Sequence, residues 1–155
     1  MVATDSVATA FAESGEEKYF SVDKLFPLGS HAFIVSGGMG ISVQLSRKFK
    51  EYVDQRRLLG IEKIITVAGP YLSEQLSEAL RKQVSKRVGT EELDRIYFVT
   101  GGYSFKAKDA PYQLALWASE TGKPPLERIT IGPCLAVPRT MSGEMKLFQM
   151  CQRDL

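Results

Sequence analysis

Four short apolar runs, each closed by a glycine, constrain this 155-residue chain more than any other feature of its sequence. The runs and their closing residues are 32–35 (Gly37, Gly38), 64–68 (Gly69, Pro70), 96–99 (Gly101, Gly102) and 129–131 (Gly132, Pro133). Short runs of this kind, rich in Ile, Val and Phe and bounded by glycine or proline, are typical of buried strands. The sequence therefore predicts four strands, each followed by a sharp turn.

Segments with helical periodicity separate these runs. Apolar residues recur at helical spacing over residues 41–59, and Gly60 follows in the position of a C-terminal cap. A second helical pattern runs from about residue 71 to residue 84, with Leu72, Leu76 and Leu80 on one face. Pro111 suits the first turn of a third helix, which would extend to about Glu120.

Strands that alternate with helices predict βαβ units, and such units form a parallel sheet covered by helices. We therefore expect an α/β fold, a Rossmann-like three-layer domain with a mostly parallel sheet of four or five strands. Residues 25–155 would form this single nucleotide-binding-type domain. Residues 1–24, which are small, polar and acidic at first, would form a flexible N-terminal lead. Residues 135–155 fit either a helix or a hairpin.

Composition argues against several classes of function. The 20 basic and 18 acidic residues are well mixed, so neither nucleic acid nor an anionic membrane is an expected partner. No apolar run reaches the ~18 residues of a membrane span, and no secretory signal pattern opens the chain, so we expect a cytoplasmic protein. One histidine and two cysteines, Cys134 and Cys151, cannot make a zinc site, and no metal is expected.

The candidate binding site is the edge of the sheet at which parallel strands would end. Right-handed crossovers bring those ends together, and open α/β sheets bind ligands there. The candidate residues are Gly37, Gly38, Gly40, Ile41, Thr100, Gly101, Gly102, Ser104, Lys106, Gly132, Pro133 and Cys134. Main-chain N–H groups of the first turn would receive a phosphate at a helix N-terminus. No side chain is identified as catalytic, and whether the chain is an enzyme stays open.

A structural alternative exists for each of these features. Glycine turns also serve simple packing between a strand and a helix, Lys106 could be a solvated side chain, and Cys134 could be a packed thiol. The usual dinucleotide fingerprint is not met, because the turn lacks its third spaced glycine and no acidic residue ends the second strand. Trp117, with Tyr112, Leu114 and Leu116, is predicted to be the buried face of the third helix.

The order of the motifs resembles the nicotinamide-dinucleotide half of the ferredoxin–NADP reductase family, above all the electron-transfer subunits that accompany dihydroorotate dehydrogenase. Residues 27–29 (PLG) are similar to the turn that ends the family's flavin barrel. Residues 37–41 (GGMGI) resemble its Gly-Gly-x-Gly-Ile turn, and residues 100–106 resemble a later loop that ends in lysine. Residues 131–133 (IGP) look like the end of its last strand.

This resemblance implies a module that binds NAD or NADP and passes hydride to a flavin. It implies that Gly37, Gly38 and Gly40 receive the pyrophosphate, that Thr100, Ser104 and Lys106 hold the ribose or its phosphate, and that residues 132–134 border the nicotinamide. The chain has no room for a flavin barrel ahead of Leu25. A flavin would therefore come from a flavoprotein partner subunit.

Two other resemblances leave alternatives open. Residues 100–105 are similar to the glycine loop of lysine-decarboxylase-like phosphoribohydrolases, although Lys108 stands where that family has its catalytic glutamate. Residues 100–103 (TGGY) also resemble a turn of cyclic-oligoadenylate sensor domains. The chain could thus be a phosphoribohydrolase relative, or a non-enzymatic Rossmann-like nucleotide sensor or protein-interaction domain. A small nucleotide is the ligand that the nucleotide-binding hypotheses share.

Overall fold

The computed structural model describes residues 7–11, 17–38, 40–83, 95–109 and 111–131. The elements in chain order are β1 (Val7–Phe11), β2 (Glu17–Ser21), β3 (Leu25–Leu28), β4 (Ala32–Gly38), α1 (Ile41–Gln55), α2 (Ile61–Gln83), β5 (Ile96–Tyr103), β6 (Tyr112–Ser119) and β7 (Glu127–Ile129). Strands β1 and β2 lie within the range predicted to be a flexible lead, and they pair with each other as a two-stranded antiparallel sheet.

The main sheet has five strands that follow one another in chain order, β3-β4-β5-β6-β7. Every neighbouring pair in it is antiparallel. The prediction of a mostly parallel, Rossmann-like three-layer domain is therefore wrong, and the arrangement is α+β. The reason is topological, because α1 and α2 together connect β4 to β5, and these strands are adjacent and antiparallel.

Both helices pack on the same face of this sheet. Phe98 and Trp117 lie opposite each other on β5 and β6, so their side chains share a face. They belong to one buried cluster with Phe49 of α1 and with Leu72 of α2. The cluster that these residues form therefore lies between the two helices and one face of the sheet, and neither helix covers the other face.

The predicted second strand, residues 64–68, is wrong because these residues belong to α2. Ile64, Ala68, Leu72 and Leu76 are all buried, so an apolar stripe at a spacing of four residues continues without a break. This stripe runs through the Gly69–Pro70 pair that was expected to end a strand. Burial against the core sustains the helix despite Pro70, whose ring lies on the exposed side.

The predicted third helix is also wrong, because residues 112–119 form β6. Residues 115–119 are buried without interruption, so both faces of the strand are covered at that end. A strand buried on both faces has no alternating pattern, and its apolar run cannot be told from a buried helix by periodicity. Pro111 precedes a strand here rather than opening a helix.

Other elements match the sequence predictions. Helix α1 confirms the helix predicted from residue 41, although it ends at Gln55, before the expected Leu59. Strands β4 and β5 confirm the runs at 32–35 and 96–99, but both continue through the glycines that were expected to end them. Strand β7 ends at Ile129, so it overlaps the run predicted at 129–131 by one residue. Residues 135–155 lie outside the described part of the chain.

Neither described helix is long and apolar enough to cross a membrane.

Candidate functional site

The structure separates the two glycine motifs that were expected to share one site. Gly37 lies opposite Tyr97 in the β4–β5 pair, whereas Gly102 lies opposite Ala32. Tyr97 and Gly102 are five residues apart along β5, which corresponds to about 17 Å of extended chain. The end of β4 at Gly38 and the loop that follows Tyr103 therefore lie at opposite ends of the sheet. The third motif, Gly132, Pro133 and Cys134, lies outside the described residues.

The glycines at the end of β4 are explained by the packing of neighbouring groups. A Cβ atom on Gly38 would come within 1.9 Å of the main-chain oxygen of Arg95, and the φ angle of Gly38 is +85°. A Cβ on Gly37 would lie 2.5 Å from the ring of Tyr97, its partner across the strands. Gly40 differs, because it has an ordinary helical φ of −55° with open space around it, and Ile41 then begins α1.

The second glycine pair lies inside β5 and also serves close packing. A Cβ on Gly101 would come within 2.3 Å of the Leu114 side chain. A Cβ on Gly102 would come within 2.4 Å of the main-chain oxygen of His31. Thr100, predicted to hold a ribose, is fully buried, and its hydroxyl accepts a hydrogen bond of 3.3 Å from the indole Nε1 of Trp117. These three residues are parts of the sheet.

Ser104 follows β5 and organises the loop behind it. Its hydroxyl donates a hydrogen bond to the carboxylate of Glu62, in the first turn of α2. The same Oγ accepts from the main-chain N–H groups of Lys106, at 3.2 Å, and Ala107, at 3.1 Å. The hydrogen bond from Ser104 is the main cause that lowers the pKa of Glu62 below 4.5, and the positive charge of Lys106 lowers this pKa further. Ser104 is therefore a buried structural residue, while Lys106 is exposed.

We expect Ser104→Ala to destabilise the protein at neutral pH by about 1–2 kcal/mol, because two main-chain donors lose their acceptor. A separate effect, through the lowered pKa of Glu62, should depend on pH. A carboxyl whose pKa is lowered by folding contributes stability above its unfolded pKa, and that contribution disappears as the pH falls through the folded pKa. Urea unfolding between about pH 7 and about pH 3 should therefore show the two proteins converging towards acid.

The control for this prediction is Ser77→Ala in α2. The Ser77 hydroxyl donates to the main-chain oxygen of Ser73 at 3.0 Å, and this bond involves no carboxylate. The Ser77→Ala substitution should change stability by the same amount at every pH, because no titrating group takes part in this bond. A pH-independent difference between wild type and Ser104→Ala would contradict the role assigned to Glu62.

The feature that sequence analysis missed is a group of exposed rings, which we call the aromatic cluster: His31, Tyr103, Phe105 and Tyr112. The ring centroids of Tyr103 and Tyr112 are 5.5 Å apart, and those of Tyr103 and Phe105 are 5.0 Å apart. Phe105 also contacts His31, at 4.7 Å. All three contacts are edge-to-face, an arrangement that aromatic quadrupoles favour.

The aromatic cluster is strongly exposed to solvent. Tyr103 is 37% exposed, Phe105 is 68% exposed and Tyr112 is 80% exposed. Tyr103 and Tyr112 are paired across β5 and β6 on the face that neither helix covers, and Leu114 of the same face is exposed as well. Farther along β6 the same face is buried, since Leu116 is only 2% exposed. Tyr103, Tyr112 and Leu114 therefore lie exposed at one end of this face.

The sequence contained only part of the signal for this cluster. Tyr103 stands within residues 100–106, a segment that the sequence predicts to be part of the binding site. Tyr112 and Leu114 were placed on a buried helix face with Leu116 and Trp117, and this placement is wrong, since both are exposed. No pattern in the sequence indicated this exposure, because the alternation Tyr112-Gln113-Leu114 predicts the two apolar side chains on the buried face, whereas Tyr112 and Leu114 are exposed and Gln113 is half-buried.

Two comparisons with known proteins returned no relative. No protein-family model matches the chain, and no curated protein has a significantly similar sequence. The resemblances drawn from short motifs therefore stay predictions. Within residues 7–11, 17–38, 40–83, 95–109 and 111–131, no three His, Cys, Asp or Glu side chains stand together in a way that could hold a metal ion.

Proposed function

We propose that this chain is a protein-interaction domain and that the aromatic cluster is its binding surface. One observation carries the proposal. Tyr103, Phe105 and Tyr112 form a continuous group of contacting rings, exposed on a part of the sheet that neither helix covers. A contiguous group of exposed apolar side chains, unlike a single one, is a feature of protein-interaction sites.

The chemistry of the cluster suits a protein partner. Tyrosine and phenylalanine bury a large area on binding and lose little side-chain entropy, and a tyrosine hydroxyl can still find a hydrogen-bond partner. Aromatic residues are also the usual centres of binding energy in interfaces. Lys106, Lys108 and Asp109 are exposed beside the cluster and supply the polar rim that such interfaces have.

The dinucleotide hypothesis is not the function that we propose. It assigned NAD or NADP to glycine turns that meet at one sheet edge, whereas the antiparallel register places Gly37 and Gly38 opposite one end of β5 and Gly102 near its other end. Its glycines have packing explanations instead. The direct test of that hypothesis remains calorimetric titration with NADH and NADPH. A flavoprotein is one partner that the interaction experiment below would identify.

We expect the double variant Phe105→Ser, Tyr112→Ser to lose its partner while it stays folded. Tagged wild type and variant would be expressed at a near-physiological level in cells of the protein's source and purified from them. The proteins that co-purify would be quantified by mass spectrometry. Loss of two aromatic contacts should reduce partner recovery at least about ten-fold, which corresponds to ~1.4 kcal/mol. Circular dichroism would check that both proteins are folded.

The matched control is Leu59→Ser. Leu59 is 81% exposed, as accessible as Tyr112, and it lies between α1 and α2, outside the aromatic cluster. This variant should retain the partner at the wild-type level, because it removes a comparable apolar side chain from elsewhere. Equal recovery with wild type and with the folded double variant would contradict the proposed interface.

A further inference from the structure

We infer that Ser104 and Glu62 position the rings of the aromatic cluster, an inference that rests on the proposed function. Ser104 stands between Tyr103 and Phe105 in the sequence, so its side chain is the nearest buried anchor to both rings. It is 2% exposed, whereas the two aromatic residues beside it are exposed. The pair would act on binding through the rings and need not touch the partner.

Among the described residues, two main-chain hydrogen bonds hold the first part of this loop. The N–H group of Tyr103 donates to the oxygen of His31 at 2.8 Å, and that of Ser104 donates to the oxygen of Pro111 at 2.6 Å. Phe105 lies beyond the last residue pair of β5 and β6. The bonds that fold the chain back after it are those from the N–H groups of Lys106 and Ala107 to the Ser104 hydroxyl.

Glu62 connects this turn to the rigid part of the domain. It lies in the first turn of α2, a helix whose residues Ile61, Ile64 and Leu72 belong to the core. Its carboxylate accepts the hydrogen bond that the Ser104 hydroxyl donates, and this fixes the orientation in which Oγ receives the two N–H groups. A ring that is held in place before binding loses less conformational freedom when the partner arrives. The pair therefore links α2 to the opposite, exposed face of the sheet.

The test uses the free full-length chain and two kinds of variant. Ser104→Ala removes the hydroxyl, and Glu62→Ala removes the acceptor at a less buried position. Glu62→Gln is the conservative variant, because an amide oxygen can still accept from Ser104. NMR would measure contacts from the Phe105 ring to the rings of Tyr103 and His31, together with hydrogen exchange of the Lys106 and Ala107 amides. Both alanine variants should lose the ring contacts and exchange these amides at least about ten-fold faster, and Glu62→Gln should stay close to wild type.

Recovery of the partner is the second measurement on the same variants. It should fall in Ser104→Ala and Glu62→Ala and be retained in Glu62→Gln. Unchanged ring contacts and unchanged exchange in both alanine variants would overturn the inference, whatever the partner does. If the ring contacts are lost as expected but the Phe105→Ser, Tyr112→Ser variant keeps its partner, the positioning role stands and the proposed interface fails.

Discussion

Alanine at position 38 is expected to destabilise the protein by about 3–5 kcal/mol, close to the whole stability of a small domain. Gly38 has a φ angle of +85°, a conformation that costs a residue with a Cβ atom about 1–2 kcal/mol. The new Cβ would also lie 1.9 Å from the main-chain oxygen of Arg95. That oxygen belongs to the chain as it enters β5, so it cannot move away without disturbing the β4–β5 pair.

Gly40→Ala is the control for this prediction and should change stability by less than about 0.5 kcal/mol. Its φ angle of −55° suits any residue, and nothing lies within 4 Å of the position where a Cβ would be placed. Urea unfolding of both variants measures the difference. A tolerated Gly38→Ala would contradict the packing explanation of this glycine. It would also reopen the interpretation in which residues 37–41 are kept small for a phosphate.

Phe98→Ala is expected to cost about 3–5 kcal/mol, because it leaves a cavity in the centre of the core. Phe98 is fully buried in β5, where it lies between Ser36 of β4 and Trp117 of β6. Its ring packs in the single cluster that joins the sheet to both helices. Relaxation around the cavity is limited on the sheet side, since both neighbouring strands are hydrogen-bonded to β5.

The matched substitution is Phe105→Ala, which makes the same chemical change at an exposed ring. It should lower stability by no more than about 0.5–1 kcal/mol, from lost edge-to-face contacts with Tyr103 and His31. Thermal and urea unfolding of the two variants would show the contrast. Similar losses in both would mean that Phe105 is part of the core, and the aromatic cluster would then not be free to bind a partner.

The sequence predicted those elements whose pattern is unambiguous. Helix α1 has one buried stripe, which includes Leu45, Phe49 and Val53, and an opposite face of charged residues, so its helical period is clear in the sequence. Strands β4 and β5 could be predicted because they are short β-branched and aromatic runs. Residues 64–68 and 112–119 were assigned wrongly, because an apolar run that is buried on several sides has the same composition in a helix and in a strand.

Only part of the candidate site could be predicted from the sequence. The loop at 100–106 was singled out, and it does contain Tyr103, Ser104 and Phe105. The residues that contact this loop could not be predicted. Glu62 is 42 residues away from Ser104 in the sequence, and the sequence places Tyr112 in a predicted helix. The sequence predicts that the glycines form phosphate-binding turns. Their neighbours in space, such as Arg95 and His31, show that they allow close packing.

The sequence by itself determined where the chain is apolar and where α1 begins, because these follow from local periodicity and side-chain size. Only the tertiary structure decided that β4 and β5 run antiparallel and that both helices occupy one face of the sheet. Strand direction depends on the path that the long connections take between strands. It also depends on hydrogen bonds between residues far apart in the chain, such as Gly37 and Tyr97. The same pairing exposes Tyr112 and buries Trp117, and so creates the surface that we propose binds a partner.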